Sequence, residues 1–224
     1  PHLAEGHYLA GLAQRALGNV QGNVQAAIDH LENALDSDEP LPGPWITKHA
    51  AGLTYDLAIT ASYTAKLILN EVAAALTLAE LYQTQGRLQD AIGAVEMAAE
   101  AMPDEALIKL SLGELYAAAG EDDNAIKLLA PLPSTDDLSL ACRAYYAEAL
   151  LHKGLFDAVL EVAGQELERT AGRDADLLRD LRYTRALAYE GKGQAALARR
   201  EWQRLYAQDP AYRDVARRVT GDGG

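Results

Sequence analysis

A spacing of 34 residues runs through most of this chain and limits what it can become. Leu78-Ala79, Tyr82, Gly86, Ala91, Ala98 and Pro103 recur, 34 positions later, as Leu112-Gly113, Tyr116, Gly120, Ala125, Leu132 and the prolines Pro131 and Pro133 on either side of it. A further 34 positions on come Tyr146-Ala147, Leu150, Gly154 and Val159. A fixed period of this length marks a protein built by stacking copies of one supersecondary unit. Within each copy, small residues (Ala79, Gly113, Ala147; then Ala91, Ala125) allow helices to approach, and larger ones (Tyr82, Tyr116; Val95, Leu129) fill the space between turns. The glycine that follows is placed to close a first helix in the left-handed conformation that glycine adopts at least cost. About half the residues are apolar (49%) and the chain has a single Phe, so its core is to be built largely from the helix formers Ala and Leu.

These residues resemble the tetratricopeptide (TPR) pattern W-x2-L-G-x2-Y…A-x3-F…P. A fifth unit is read at Ala186, Tyr189, Gly193, Ala198, Trp202 and Pro210, displaced by a longer loop around Thr170–Arg173. A first unit is read at Ala10-Gly11, Gly22, Ala27, Leu31, Ala34 and Pro40, with about four extra residues at its turn. The resemblance implies an all-α fold, a right-handed α-solenoid of stacked antiparallel helix pairs with a concave side. First helices are expected near 73–84, 106–118, 138–152 and 176–191, second helices near 88–100, 122–129, 156–169 and 195–207, and no β-sheet. The implied organisation is a first helix pair over 1–43, a degenerate or inserted helical unit over 44–71, three to four repeats over 72–210, and a capping helix with tail over 211–224. In the second segment, helices over 45–51 and 55–69 with Gly52 between them fit a shortened repeat, with a capping-type insertion as the rival.

Charge narrows the partners. The chain has 20 basic and 33 acidic residues, a formal −13, which repels phosphate backbones and anionic membranes. No apolar run reaches the roughly 18 residues of a membrane span, and a cytoplasmic location is expected. The chain starts at Pro1, not Met, and is expected to be a fragment or processed form.

Chemistry is sparse. His2, His7, His30, His49 and His152 lack the spacing of a metal helix, and no nucleophile-elbow, phosphate-loop or dinucleotide motif is present. Cys142 sits among Leu140, Ala144 and Tyr145 as a small apolar residue. Glu121-Asp122-Asp123 open a second helix, where carboxylates suit the helix dipole. No enzyme activity, cofactor or metal is expected.

In the TPR family the second, fifth, ninth and twelfth positions of the first helix face the groove. The ninth positions here are Glu80, Glu114 and Glu148, at 34-residue spacing, read first as ordinary helix-forming glutamates and alternatively as a cation-binding ladder of carboxylates. Tyr8 and Tyr183 fall at the fifth position, and Gln83, Ala117, Leu151 and Glu190 at the twelfth. Glu80, Gln83, Glu114, Glu148, Leu151 and Tyr183 are therefore the candidate partner-binding residues, with no catalytic or metal residue among them. Family members that grip an acidic chaperone tail use Lys, Arg and Asn at these positions, so such a tail is a poor fit here. The expected function is a scaffold or adaptor holding a peptide or helix of a partner, with Lys or Arg in that segment. The alternatives are a sensor or regulatory domain of a larger protein, and a self-associating scaffold.

Overall fold

The computed structural model describes residues 3–18 and 21–220; His2 and the glycine-rich tail from Gly221 lie outside them. The chain forms two compact units, Pro1–Ala119 and Gly120–Gly224.

The first unit contains α1 (Leu3–Ala16), α2 (Gln21–Leu35), α3 (Pro44–His49), β1 (Thr54–Thr60), β2 (Tyr63–Ile68), α4 (Glu71–Thr84), α5 (Leu88–Ala101) and α6 (Ala106–Ala119). α1 packs on α2, α2 on α4, α4 on α5, and α5 on α6. Such stacking is what helix pairs that cannot bury their own apolar faces require. Ala27, Ile28 and Leu31 of α2, Ala91 and Val95 of α5, and Ile108 and Leu110 of α6 form its core. α4 is buried on nearly every face, from Val72 to Tyr82, as the central helix of the unit.

The second unit contains α7 (Asp122–Leu129), α8 (Asp137–His152), α9 (Phe156–Leu167), α10 (Ala175–Gly191), α11 (Ala195–Gln208) and α12 (Val215–Thr220). Its helices pack in chain order, and α8 also packs on α10. At the end, Tyr212, Val215 and Val219 cover Ala186, Ala198, Trp202 and Leu205. Arg213, Arg217 and Arg218 meet Asp180 and Asp214 on the polar side.

Helix ends follow local chemistry. Gly86, Gly120, Gly154 and Gly193 have φ of +72°, +73°, +71° and +72°. After Gly86, the Arg87 N–H reaches back to the Tyr82 carbonyl at 2.9 Å, and Leu155 and Gln194 do the same to Leu150 and Tyr189. This is the six-to-one bond of a glycine-terminated helix. Asn70, Asp136 and Asp174 cap α4, α8 and α10 with side-chain oxygens.

Two expectations are corrected. The turn glycine of the first unit is Gly18, at φ +87°, while Gly22 lies inside α2. Gly18 stands seven residues after Gly11, as Gly86 does after Ala79, and the extra residues follow it. The helix expected over 55–69 is instead an antiparallel β-hairpin, so the chain is not free of β-structure. Its strands alternate Leu57 and Ile59 with Ala65 and Leu67 on the buried side, and Asp56 opposite Lys66 on the exposed side. Period-two burial with β-branched and tyrosine residues favours strand over helix. The preceding α3 is seated by Glu5 of α1, whose carboxylate accepts from the Trp45 N–H at 3.0 Å and the Ile46 N–H at 3.3 Å. A Cβ on Gly43 would collide with that carboxylate, so only glycine admits this cap.

Candidate functional site

The six candidate residues all lie on first helices and all are half-buried. Glu80 and Gln83 are on α4 and Glu114 on α6 in the first unit; Glu148 and Leu151 are on α8 and Tyr183 on α10 in the second.

In the first unit the face they share is crossed by the hairpin. β1 packs on both α4 and α6. The Tyr55 hydroxyl donates to the Ala73 carbonyl at 3.0 Å and lies 2.7 Å from the Thr77 hydroxyl of α4 and 3.2 Å from the Tyr8 hydroxyl of α1. Burial, then the Tyr55 hydroxyl beside it, pushes the Tyr8 phenol far above the ordinary tyrosine range. Tyr8 and Ala73 occupy the fifth and second positions of their helices. Both are closed by an insertion that belongs to the chain itself.

The ninth and twelfth positions lie further along the same helices and are tied sideways. Arg15 of α1 donates Nε to Glu80 Oε2 at 2.7 Å and Nη2 to Oε1 at 2.9 Å. Gln83 of α4 donates Nε2 to Glu114 Oε2 of α6 at 2.8 Å. Arg15 stands four residues after Gly11, as Gln83 stands four after Ala79. The two ties are therefore one motif made twice, from the twelfth position of one first helix to the ninth of the next. Arg15 is not among the candidates, although its register is readable from Gly11. Its bond to Glu80 holds the guanidinium above the ordinary arginine value, so the tie is a charge-assisted one from the arginine side.

The ladder of unpaired carboxylates is corrected at its first rung, because Glu80 is neutralised by Arg15. Glu148 makes no hydrogen bond or ion pair among the described residues. Tyr183 does not stand open. Its hydroxyl donates to Asp214 at 2.7 Å, its ring meets Trp202 edge-on at 5.2 Å, and Arg213 lies over it at 4.6 Å.

The other polar candidates have structural partners. Asp122 and Asp123 bind His152 at the end of α8 and Lys153 just beyond it, at 2.9 and 3.0 Å. His7 and His30 face one another through Nδ1 at 2.9 Å. No group of three or more His, Cys, Asp or Glu able to hold a metal occurs among the described residues. Nor is any helix among them long and apolar enough to cross a membrane. Cys142 is buried.

The closing glycines, the paired helices and their spacing meet in residues 84–141, which match the family model of the tetratricopeptide repeat. The fold is shared with solved TPR structures. The crystal structure of MamA superposes with a TM-score of 0.63 at 14% identity, covering 100% of this chain and 97% of that one. A putative kinesin light chain with nearly identical TPR-like repeats, from Podosopora anserina, gives 0.56 at 21% identity, covering 94% and 97%. A thermophilic TPR protein of Thermus thermophilus gives 0.54 at 15% identity, covering 97% of each. At these identities the likeness is one of fold. No curated protein sequence matches the chain significantly.

Proposed function

We propose that this protein, with the fold of a TPR solenoid, is a non-catalytic scaffold that holds a segment of a partner protein against its first-helix faces. The observation that carries this is the hairpin. An extended segment, Thr54–Thr60, lies across α4 and α6 and seats Tyr55 between α1 and α4 through its hydroxyl. A face that receives one extended segment by apolar side chains and a few polar ties has the chemistry to receive another beside it. The positions left beyond the hairpin are Glu80, Gln83 and Glu114, and in the second unit Glu148, Leu151 and Tyr183.

Charge selects the partner. Arg15 cancels Glu80, whereas Glu148, three positions before the partly exposed Leu151, has no ion pair among the described residues, on a chain of formal charge −13. A segment carrying Lys or Arg next to an apolar residue suits this face, and its association should be faster at low salt.

The test is a peptide array of apolar segments with Lys, Glu or neutral flanks, read with the fluorescently labelled chain at two salt concentrations. Lys-flanked segments should bind best, and Glu148→Gln should remove that preference. Equal binding of all three flanks refutes the basic partner. Binding to none of them refutes the scaffold reading on this face.

A further inference from the structure

Although the chain is acidic overall, one point in its second unit gathers positive charge. Glu201 of α11 is almost fully buried and is surrounded by three arginines. Arg185 of α10 donates Nη2 to Glu201 Oε2 at 2.9 Å, and Arg204 of α11 donates Nη1 to Oε1 at 2.9 Å. Arg182 of α10 lies 3.9 Å from Oε2, beyond hydrogen-bond reach. One carboxylate thus faces three guanidinium groups, leaving two positive charges in excess.

Arg182 makes no hydrogen bond among the described residues, although only 16% of its side chain is exposed. The Nε groups of Arg182 and Arg185 are both buried without an acceptor. Burial depresses the Arg182 guanidinium below the ordinary arginine value; Glu201 opposes the shift, and Arg185 and Arg204 add to it by repulsion. The acids nearest in sequence are engaged elsewhere. Asp176 pairs with Arg179, and Asp180 binds Tyr212 and Arg213. Glu166 of α9 holds Arg143 and Arg173 and accepts from Ser134.

Clustered guanidiniums in a partly desolvated site repel one another, and buried N–H groups without acceptors are costly. An oxyanion seated among them offsets the repulsion and supplies acceptors, because the planar guanidinium fork matches carboxylate and phosphate oxygens. An excess of two charges matches a dianion better than a carboxylate, and a phosphoryl group carries nearly two negative charges at neutral pH.

We infer that Arg182, Arg185 and Arg204 form a binding site for a dianionic oxyanion of the phosphate type, borne either by free phosphate or by a phosphorylated side chain of a partner protein. Arg182 and Arg185 stand four residues and one residue before Ala186, at the fourth and seventh positions of their first helix. Those are not the groove positions that carry Glu148 or Tyr183. The site is therefore independent of the segment-binding face, and either can fail alone.

The experiment is calorimetric titration of the whole chain with sodium phosphate, against sodium chloride at matched ionic strength, and then with the phosphoserine and serine forms of one peptide. Saturable binding of phosphate assigns the free ion, and binding of the phosphoserine peptide alone assigns a protein-borne group. Arg182→Gln should weaken either by about tenfold, the loss of one charged hydrogen-bonding group. Without phosphate the same variant should melt no lower than the parent, because it removes a charge held largely out of water with no hydrogen bond, and the repulsion from Arg185 and Arg204 with it. Arg204→Gln, at a more exposed position, gives the same readout should Arg182→Gln fold poorly. The inference is overturned by absence of saturable binding in both arms, by affinity unchanged in the variants, or by Arg182→Gln lowering the anion-free melting temperature of a chain that still folds.

Discussion

Breaking the tie between Arg15 and Glu80 should cost far more than breaking an ordinary surface ion pair. The two side chains are 25% and 28% exposed and meet through two hydrogen bonds of 2.7 and 2.9 Å. At a separation of about 4 Å and an effective dielectric constant of about 20, their attraction is roughly 4 kcal/mol. Removing both charges from most of their water offsets a large part of that. Exposed pairs retain about 0.2–1 kcal/mol, whereas losing one partner of a buried pair costs about 3–5. Three-quarters burial places the coupling here at about 1.5–2 kcal/mol. A double-mutant cycle of Arg15→Met and Glu80→Gln, read by urea denaturation with circular dichroism and fluorescence compared for coincidence, isolates that term. The equivalent cycle on Gln83 and Glu114, where the donor is neutral, should give about 1 kcal/mol. Raising salt to 1 M should remove less than half of the Arg15–Glu80 coupling, because the pair is largely shielded from mobile ions. A coupling under about 0.5 kcal/mol, or one abolished by salt, would show that the tie is loose. Glu80 would then be available to a basic partner, and the lateral motif would have no structural weight.

Two further outcomes follow from packing and capping. Ala91 has no exposed surface, so Ala91→Leu should overpack its site and cost about 1–3 kcal/mol; an unchanged melting temperature would remove it from the core. Asp136 accepts from the Ser139 N–H at 2.8 Å, while the Asp136 N–H donates to the Ser139 hydroxyl at 2.9 Å. The Ser139 backbone bond, then its hydroxyl, holds the Asp136 carboxyl below its ordinary value. A depressed carboxyl stabilises fully above its unfolded pKa, near 4, and loses that contribution as pH falls through the lower folded value. Asp136→Ala should therefore cost about 1 kcal/mol at pH 7, and the gap to the parent should narrow in urea titrations at progressively lower pH. A gap that does not change with pH would show that the charge of Asp136 has no part in the cap.

The helices were legible because their signals are local and repeated. Helices expected near 73–84, 122–129 and 195–207 are Glu71–Thr84, Asp122–Leu129 and Ala195–Gln208. The glycine that ends each first helix also sets the start of the next, so one residue type fixes two boundaries. The hairpin was less legible because it obeys no repeat. Thr54, Tyr55, Ile59, Thr60, Tyr63, Thr64 and Ile68 supply seven β-formers in fifteen residues, and the buried residues alternate in pairs. Forcing the 34-residue frame across that stretch hides a period-two signal that is present. Gly22 stands five residues before Ala27, as Gly86 does before Ala91, which suggests a turn there, whereas the seven-residue step from Gly11 points to Gly18.

The candidate site was legible in position and not in use. Register alone puts Glu80 and Glu114 on first helices, but register is silent on which neighbour a side chain meets. That is decided by pairs of positions: a ninth-position glutamate is held only where the twelfth position of the preceding first helix carries a donor. Arg15 and Gln83 satisfy this for Glu80 and Glu114. The next twelfth positions are Ala117 and Leu151, which carry no donor, and the ninth position after Leu151 is the apolar Leu187. The motif therefore stops after two copies, and Glu148 is a ninth-position glutamate preceded by no donor. A residue type kept at 34-residue spacing thus divides into a structural pair and a remaining member. The remaining member is the one on which the proposed basic partner rests.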